Sequence, residues 1–171
     1  MSDNQKIFKF GLLKDIFLII AGLIISNFAI LTKTNIDQKY QDKIKQEEKM
    51  SKFRDELSVA IGERFYYMSK YFQALNSGDF DKIYDSKKEY DKVNINWNAN
   101  IHRYIALVKF HYNNKMREYF EQKISNKLAK IAREIDENNF DKKSISSKFK
   151  EVSSSIVGFN IGLYEFKKEN K

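Results

Sequence analysis

Met50 to Leu75 reads MSKFRDELSVAIGERFYYMSKYFQAL. Its apolar side chains stand at Met50, Phe53, Leu57, Ile61, Phe65, Met68, Phe72 and Leu75, three or four residues apart throughout. That spacing follows one face of an α-helix and not the alternation of a strand. The chain contains no proline, so nothing here removes a helical N–H or clashes with the preceding turn. The stretch ends at Asn76-Ser77-Gly78-Asp79, where Gly78 suits a left-handed C-terminal position and Asp79 the next N-cap.

The same period recurs three times downstream. A second helix carries Phe80, Ile83, Tyr90, Val93, Trp97, Ile101, Tyr104 and Val108, and weakens between His111 and Asn114. A third carries Met116, Phe120, Ile124, Leu128, Ile131 and Ile135, before Asn138-Asn139-Phe140-Asp141. A fourth, with Ser144 as its N-cap, carries Ile145, Phe149, Val152, Ile156, Phe159, Leu163 and Phe166. Four amphipathic helices with short connections predict an all-α fold, an antiparallel bundle with coiled-coil-like packing over residues 50–171.

The composition agrees. The chain has 171 residues, enough for one domain and an anchor, and 42% are hydrophobic, too many for a disordered chain. Six glycines leave little material for a turn-rich β-fold. No cysteine is present, which excludes disulfides, thiolate metal sites and a cysteine nucleophile. The abundance of Lys, Asn and Ile is that of an AT-rich bacterial genome.

Upstream, Ile16 to Thr32 (IFLIIAGLIISNFAILT) runs 17 residues without a charge. Extended back to Phe10, it predicts a single-pass transmembrane helix over 10–32, after a tail at 1–9 and before a charged helical stalk at 33–49. Lys9 and Lys14 lie where their amines reach the headgroups. A cleaved signal peptide would need small residues before the cut, and Asn27-Phe28-Ala29 has a poor one three positions back. These features place the chain in the bacterial inner (cytoplasmic) membrane. Lys33, Lys39, Lys43, Lys45 and Lys49 outnumber Lys6, Lys9 and Lys14, which tips the positive-inside balance towards a cytoplasmic C-terminal region.

Two small-residue seams stand out, Gly22 with Ser26, and Gly158 with Gly162 and Ser154. Both have the spacing that lets helices approach closely, within the chain or between copies. The densest polar feature is Val93 to Arg103, with four asparagines around the only tryptophan. Asn94, Asn98 and His102 follow at four-residue intervals beside Trp97 and predict a polar recognition layer, either structural or open to a small ligand.

Catalytic signatures are missing: there is no phosphate-cradling glycine loop and no nucleophile elbow. His102 and His111 are nine residues apart, about 180° around a continuous helix, so they do not chelate one metal. No cofactor or metal is expected. The net charge is +8, but the bases interleave with acids, as in Asp42 to Lys49, which describes a solvated helix surface and not a nucleic-acid site. The expected function is a membrane-anchored, non-enzymatic helical bundle engaging a protein partner or a second copy. A small-ligand sensor, a membrane-disrupting effector and a basic nucleic-acid-binding module are the alternatives.

Overall fold

The computed structural model describes the backbone of residues 3–137 and 140–169 and the side chains of residues 22–137 and 140–166. The described chain is helical and contains no strand. Helix α1 spans Asp3–Ser77, α2 spans Phe80–His111, and α3 spans Asn114–Tyr119. A π-helical turn, Phe120–Ser125, joins α3 to α4 at Asn126–Asp136, and α5 spans Lys142–Glu169. The chain forms two compact units, residues 1–49 and 50–171.

The helix ends follow local chemistry. Gly78 adopts φ 70°, the left-handed region that a side chain resists. Asp79 caps α2 by accepting from the Lys82 N–H at 3.2 Å. Asn113 caps α3 by accepting from Met116 N–H at 2.8 Å. The cap ahead of α5 is Asp141, which accepts from Ser144 N–H at 2.7 Å. Ser144 therefore sits inside the first turn, a correction of three positions. The carboxylate is the better acceptor there and adds a favourable charge at the helix N-terminus. Asn138 and Asn139 of the expected connection lie outside the described residues.

In the second unit the register comes from paired side chains. Along α1 and α2, Glu56 meets Arg103, Arg64 meets Asn94, and Tyr71 stacks on Tyr90 at 5.3 Å. One number rises as the other falls, so the two helices are antiparallel. The same holds for α1 and α5, where Arg54 lies over Tyr164 at 4.0 Å, Ser58 donates to Asn160 at 3.1 Å, and Phe65 packs on Phe149 at 5.5 Å. It holds again for α4 and α5, through Lys127 with Glu151 and Lys148 with Glu134. Trp97 against Phe120 and Tyr90 against Asp136 set α2 against the rod made by α3, the π turn and α4. The result is an up-down-up-down bundle of four rods.

Leu57, Ile61, Met68, Phe120, Ile124, Leu128, Ile145, Val152 and Leu163 are wholly buried at its centre. Each such side chain contributes about 1.5–3 kcal/mol from burial. The π turn is tied to this core. Phe120, Ile124 and Leu128 are spaced by fours, and each such step drifts about 40° around a regular α-helix. The wider turn, closed by Asn126 N–H on Glu121 C=O, takes up that drift and keeps all three inward.

In the first unit, every side chain from Gly22 to Gln46 is exposed. Leu23, Ile24, Ile25, Phe28, Ile30 and Leu31 are among them. Among the described residues no helix is long and apolar enough to cross a membrane. The transmembrane span expected over 10–32 is therefore not found in them. Its part from 10 to 21, like the tail at 1–9, lies outside the described side chains. The remainder, 22–32, reaches only about 16 Å at about 1.5 Å per residue, roughly half the hydrocarbon thickness.

Candidate functional site

Arg64 stands at the centre of the bundle's polar interior. It is 3% exposed, on the buried face of α1 between Ile61 and Met68. Its Nη1 donates to Oδ1 of Asn94, and its guanidinium lies 5.5 Å from the Trp97 ring. Its Nε is buried without a hydrogen-bond partner. Burial lowers the Arg64 pKa, while Tyr90 and Asp136 act in the opposite sense.

Next to it, the Tyr90 hydroxyl donates to Asp136 at 3.5 Å. Burial, then the Asp136 charge, pushes the Tyr90 phenol well above its ordinary value and holds it neutral. Lys87 pairs with Asp91 and lies 3.9 Å from Asp136. Burial opposes its charge, but the Asp91 hydrogen bond and the charges of Asp91 and Asp136 outweigh it, so its pKa is raised. The network joins the Arg64 guanidinium and the Lys87 ammonium to a neutral phenol, the Asn94 amide and the carboxylates of Asp91 and Asp136. These contacts between helices are cation–π and hydrogen-bond interactions.

The expected recognition layer is divided by the structure. Asn94 and Trp97 face the interior and join Arg64. Asn98 and His102 are exposed. Four-residue steps drift about 40° each, so a line begun at Asn94 leaves the core by His102. Tyr90, Trp97 and Tyr104, seven apart, stay buried. The four residues thus lie as an inward pair, Asn94 and Trp97, and an outward pair, Asn98 and His102. Asn100 donates back to Asn96 at 3.0 Å, which satisfies part of the asparagine-rich turn locally.

A second polar cluster lies where α1, α2 and α5 meet. Arg54 is buried, donates to Ser51 at 2.9 Å and covers the Tyr164 ring. The Tyr112 hydroxyl is buried without a partner, and burial pushes its pKa up to about 12. His111 stacks on Phe53 at 5.4 Å, and desolvation lowers its pKa.

Of the small-residue seams, Gly22 and Ser26 are exposed, and nothing lies within 4 Å of where a Gly22 Cβ would stand. Gly158 and Gly162 face α3, where their missing Cβ atoms leave room for Tyr119 Oη at 3.1 Å and Met116 Cε at 3.2 Å. Ser154 donates to the Lys150 carbonyl of its own helix at 3.1 Å. Among the described residues, one surface groove of about 150 Å³ lies between α4 and α5 and is lined by Lys127, Lys130, Lys148 and Glu151. Another, of about 400 Å³, lies between α1 and α2 beside Lys70, Gln73, Lys82 and Asp85. Among the described residues, no group of three or more His, Asp or Glu side chains could hold a metal ion.

Sequence reasoning missed Arg64, Tyr90 and Asp136 as a network. The signal was there for Arg64: it falls three residues after Ile61 and four before Met68, on the apolar line itself. No protein-family model, curated protein or solved structure matches this chain.

Proposed function

We propose that the chain is a single-pass, membrane-anchored helical bundle that acts without catalysis, as an adaptor or accessory subunit of a membrane-associated bacterial system. The observation that carries the reading is the exposure of consecutive bulky residues. Leu23, Ile24 and Ile25 point about 100° apart, so no single neighbouring helix covers all three. A surrounding apolar solvent does, and the sequence stays uncharged back to Ile16. The lysine-rich flank after Thr32 supports a bacterial inner-membrane location with a cytoplasmic bundle.

The interaction role is supported by the outer face of α2. Phe80, Tyr84 and Ile95 are strongly exposed there, and Asn98 and His102 fall on the same side by helical geometry. Aromatic bodies with adjoining amides and an imidazole are the composition of a protein-binding surface. The buried Arg64–Asn94 pair, by contrast, supports the bundle that presents this face.

Replacing Ile24 and Ile25 together by lysine tests the anchor, since each charge near mid-span costs about 2.5–3.5 kcal/mol of insertion. The full-length parent is expected in the membrane pellet and the variant in the supernatant. A parent that fractionates as soluble protein overturns the reading.

A further inference from the structure

Bases and acids are interleaved along much of the chain, as from Asp79 to Lys92. Two stretches break that habit. Gln122 to Arg133 carries Lys123, Lys127, Lys130 and Arg133 and no acid, and Lys142 to Lys150 carries four lysines and no acid. The first runs along the π turn and α4, the second along α5. The fold lays them side by side, joined by Lys127 with Glu151 and by Lys148 with Glu134.

The groove of about 150 Å³ lies between them. Lys127, Lys130, Lys148 and Glu151 form its walls, and the buried Ile131 and Val152 its floor. Lys123 stands close enough for its charge to act on Glu151. Beside the groove on α5, Lys143, Ser147 and Lys150 are exposed and fall within about 60° of one another. Among the described residues, Lys123, Lys130, Lys143 and Lys150 have no carboxylate within ion-pair distance. The two glutamates therefore leave this face strongly positive, and the Glu151 side chain is itself 62% exposed.

We propose that the α4–α5 groove and its lysine walls dock on the anionic phosphates of a phospholipid bilayer. A headgroup phosphate enters between Lys123, Lys127 and Lys130 and displaces the exposed Glu151 carboxylate from Lys127. Each lysine near a negative leaflet strengthens attachment about fivefold. The proposal rests on the anchored reading above, because an anchor keeps such a leaflet within reach of the bundle.

The chain has no cysteine, so one introduced thiol carries a polarity-sensitive dye. Full-length Ser147→Cys reports the basic face, and Asn98→Cys reports the outer face of α2. Each is reconstituted into vesicles of phosphatidylcholine alone, or with a third of phosphatidylglycerol. The dye at 147 should brighten and shift to the blue only in the anionic vesicles, and the dye at 98 should not respond. Adding about 1 M salt, where the Debye length is about 3 Å, should reverse the change. Lys123→Gln, Lys130→Gln and Lys150→Gln together should lower it several-fold, with the helical circular dichroism unchanged.

A response at 147 that is equal in neutral vesicles, equal at 98 or indifferent to salt overturns the proposal. So does a response in neutral vesicles to added duplex DNA that matches the anionic lipid, since the face would then serve a nucleic acid. Flotation reports the anchor separately. A chain that floats only with anionic vesicles keeps the basic face and removes the anchor. One that floats with both but stays silent at 147 keeps the anchor and removes the face.

Discussion

Replacing Asn94 by leucine and Arg64 by methionine should have unequal effects, although the two side chains share one hydrogen bond. Asn94 supplies the acceptor for a guanidinium that is 3% exposed. With leucine there, the cation stays buried, keeps the Trp97 face and loses its hydrogen bond. A hydrogen bond to a charged group is worth about 1.5–3 kcal/mol, so Asn94→Leu should cost roughly 2–3 kcal/mol. Arg64→Met removes the desolvated charge itself. It forfeits a cation–π contact of about 0.5–2 kcal/mol but fills the same volume with apolar atoms. Exchanges of this kind for buried ions are often neutral or stabilising, so the net change should stay within about 1 kcal/mol.

The double variant should resemble Arg64→Met and not Asn94→Leu, because leucine harms only a protein that still holds the charge. The assay is urea unfolding of the full chain in mild detergent, followed by far-UV circular dichroism. An Arg64→Met loss as large as that of Asn94→Leu would refute the reasoning. It would mean that the guanidinium makes a net contribution to stability and is not a tolerated buried charge.

Other expectations concern backbone and pH. Gly62 lies mid-helix with nothing within 4 Å of where an added methyl would stand, so Gly62→Ala should raise stability by about 1 kcal/mol in the same unfolding assay. Gly78→Ala, at φ +70°, should lose about 1–2 kcal/mol. The pKa of His111 is held below its ordinary 6.5 by desolvation, so the native state binds fewer protons than the unfolded chain as pH falls through that value. Stability present above about pH 6.5 should decline below it, and His111→Phe should flatten that decline between about pH 7.5 and 5.5. Equal slopes for parent and variant would show that His111 does not report its Phe53 environment.

The helices were legible because their cores recur at three and four residues, and because Gly78 and Asp79 do at that joint what their chemistry favours. The buried face of α1 was legible only in part. The apolar reading placed Phe65 on it, whereas the bundle centres Arg64 and leaves Phe65 half-buried. A 3-4 alternation through Leu57, Ile61, Arg64 and Met68 describes the packed face better, but a search for hydrophobic residues passes over a guanidinium. The site suffered from the same habit in reverse. Asn94, Asn98 and His102 look aligned at fours, yet Asn98 and His102 are exposed, whereas Tyr90, Trp97 and Tyr104, at sevens, remain on the core side of α2. Asp136 could not be anticipated, because its approach to Tyr90 depends on how α4 docks. The π turn left one trace, the run of fours from Met116 to Leu128.

The central claim, that residues near the start hold the chain in lipid, is tested most directly by alkaline carbonate extraction of membranes from bacteria expressing the full-length protein. The account requires the intact chain to stay with the bilayer pellet and to leave it only in detergent. Recovery of the same chain in the carbonate supernatant would contradict it.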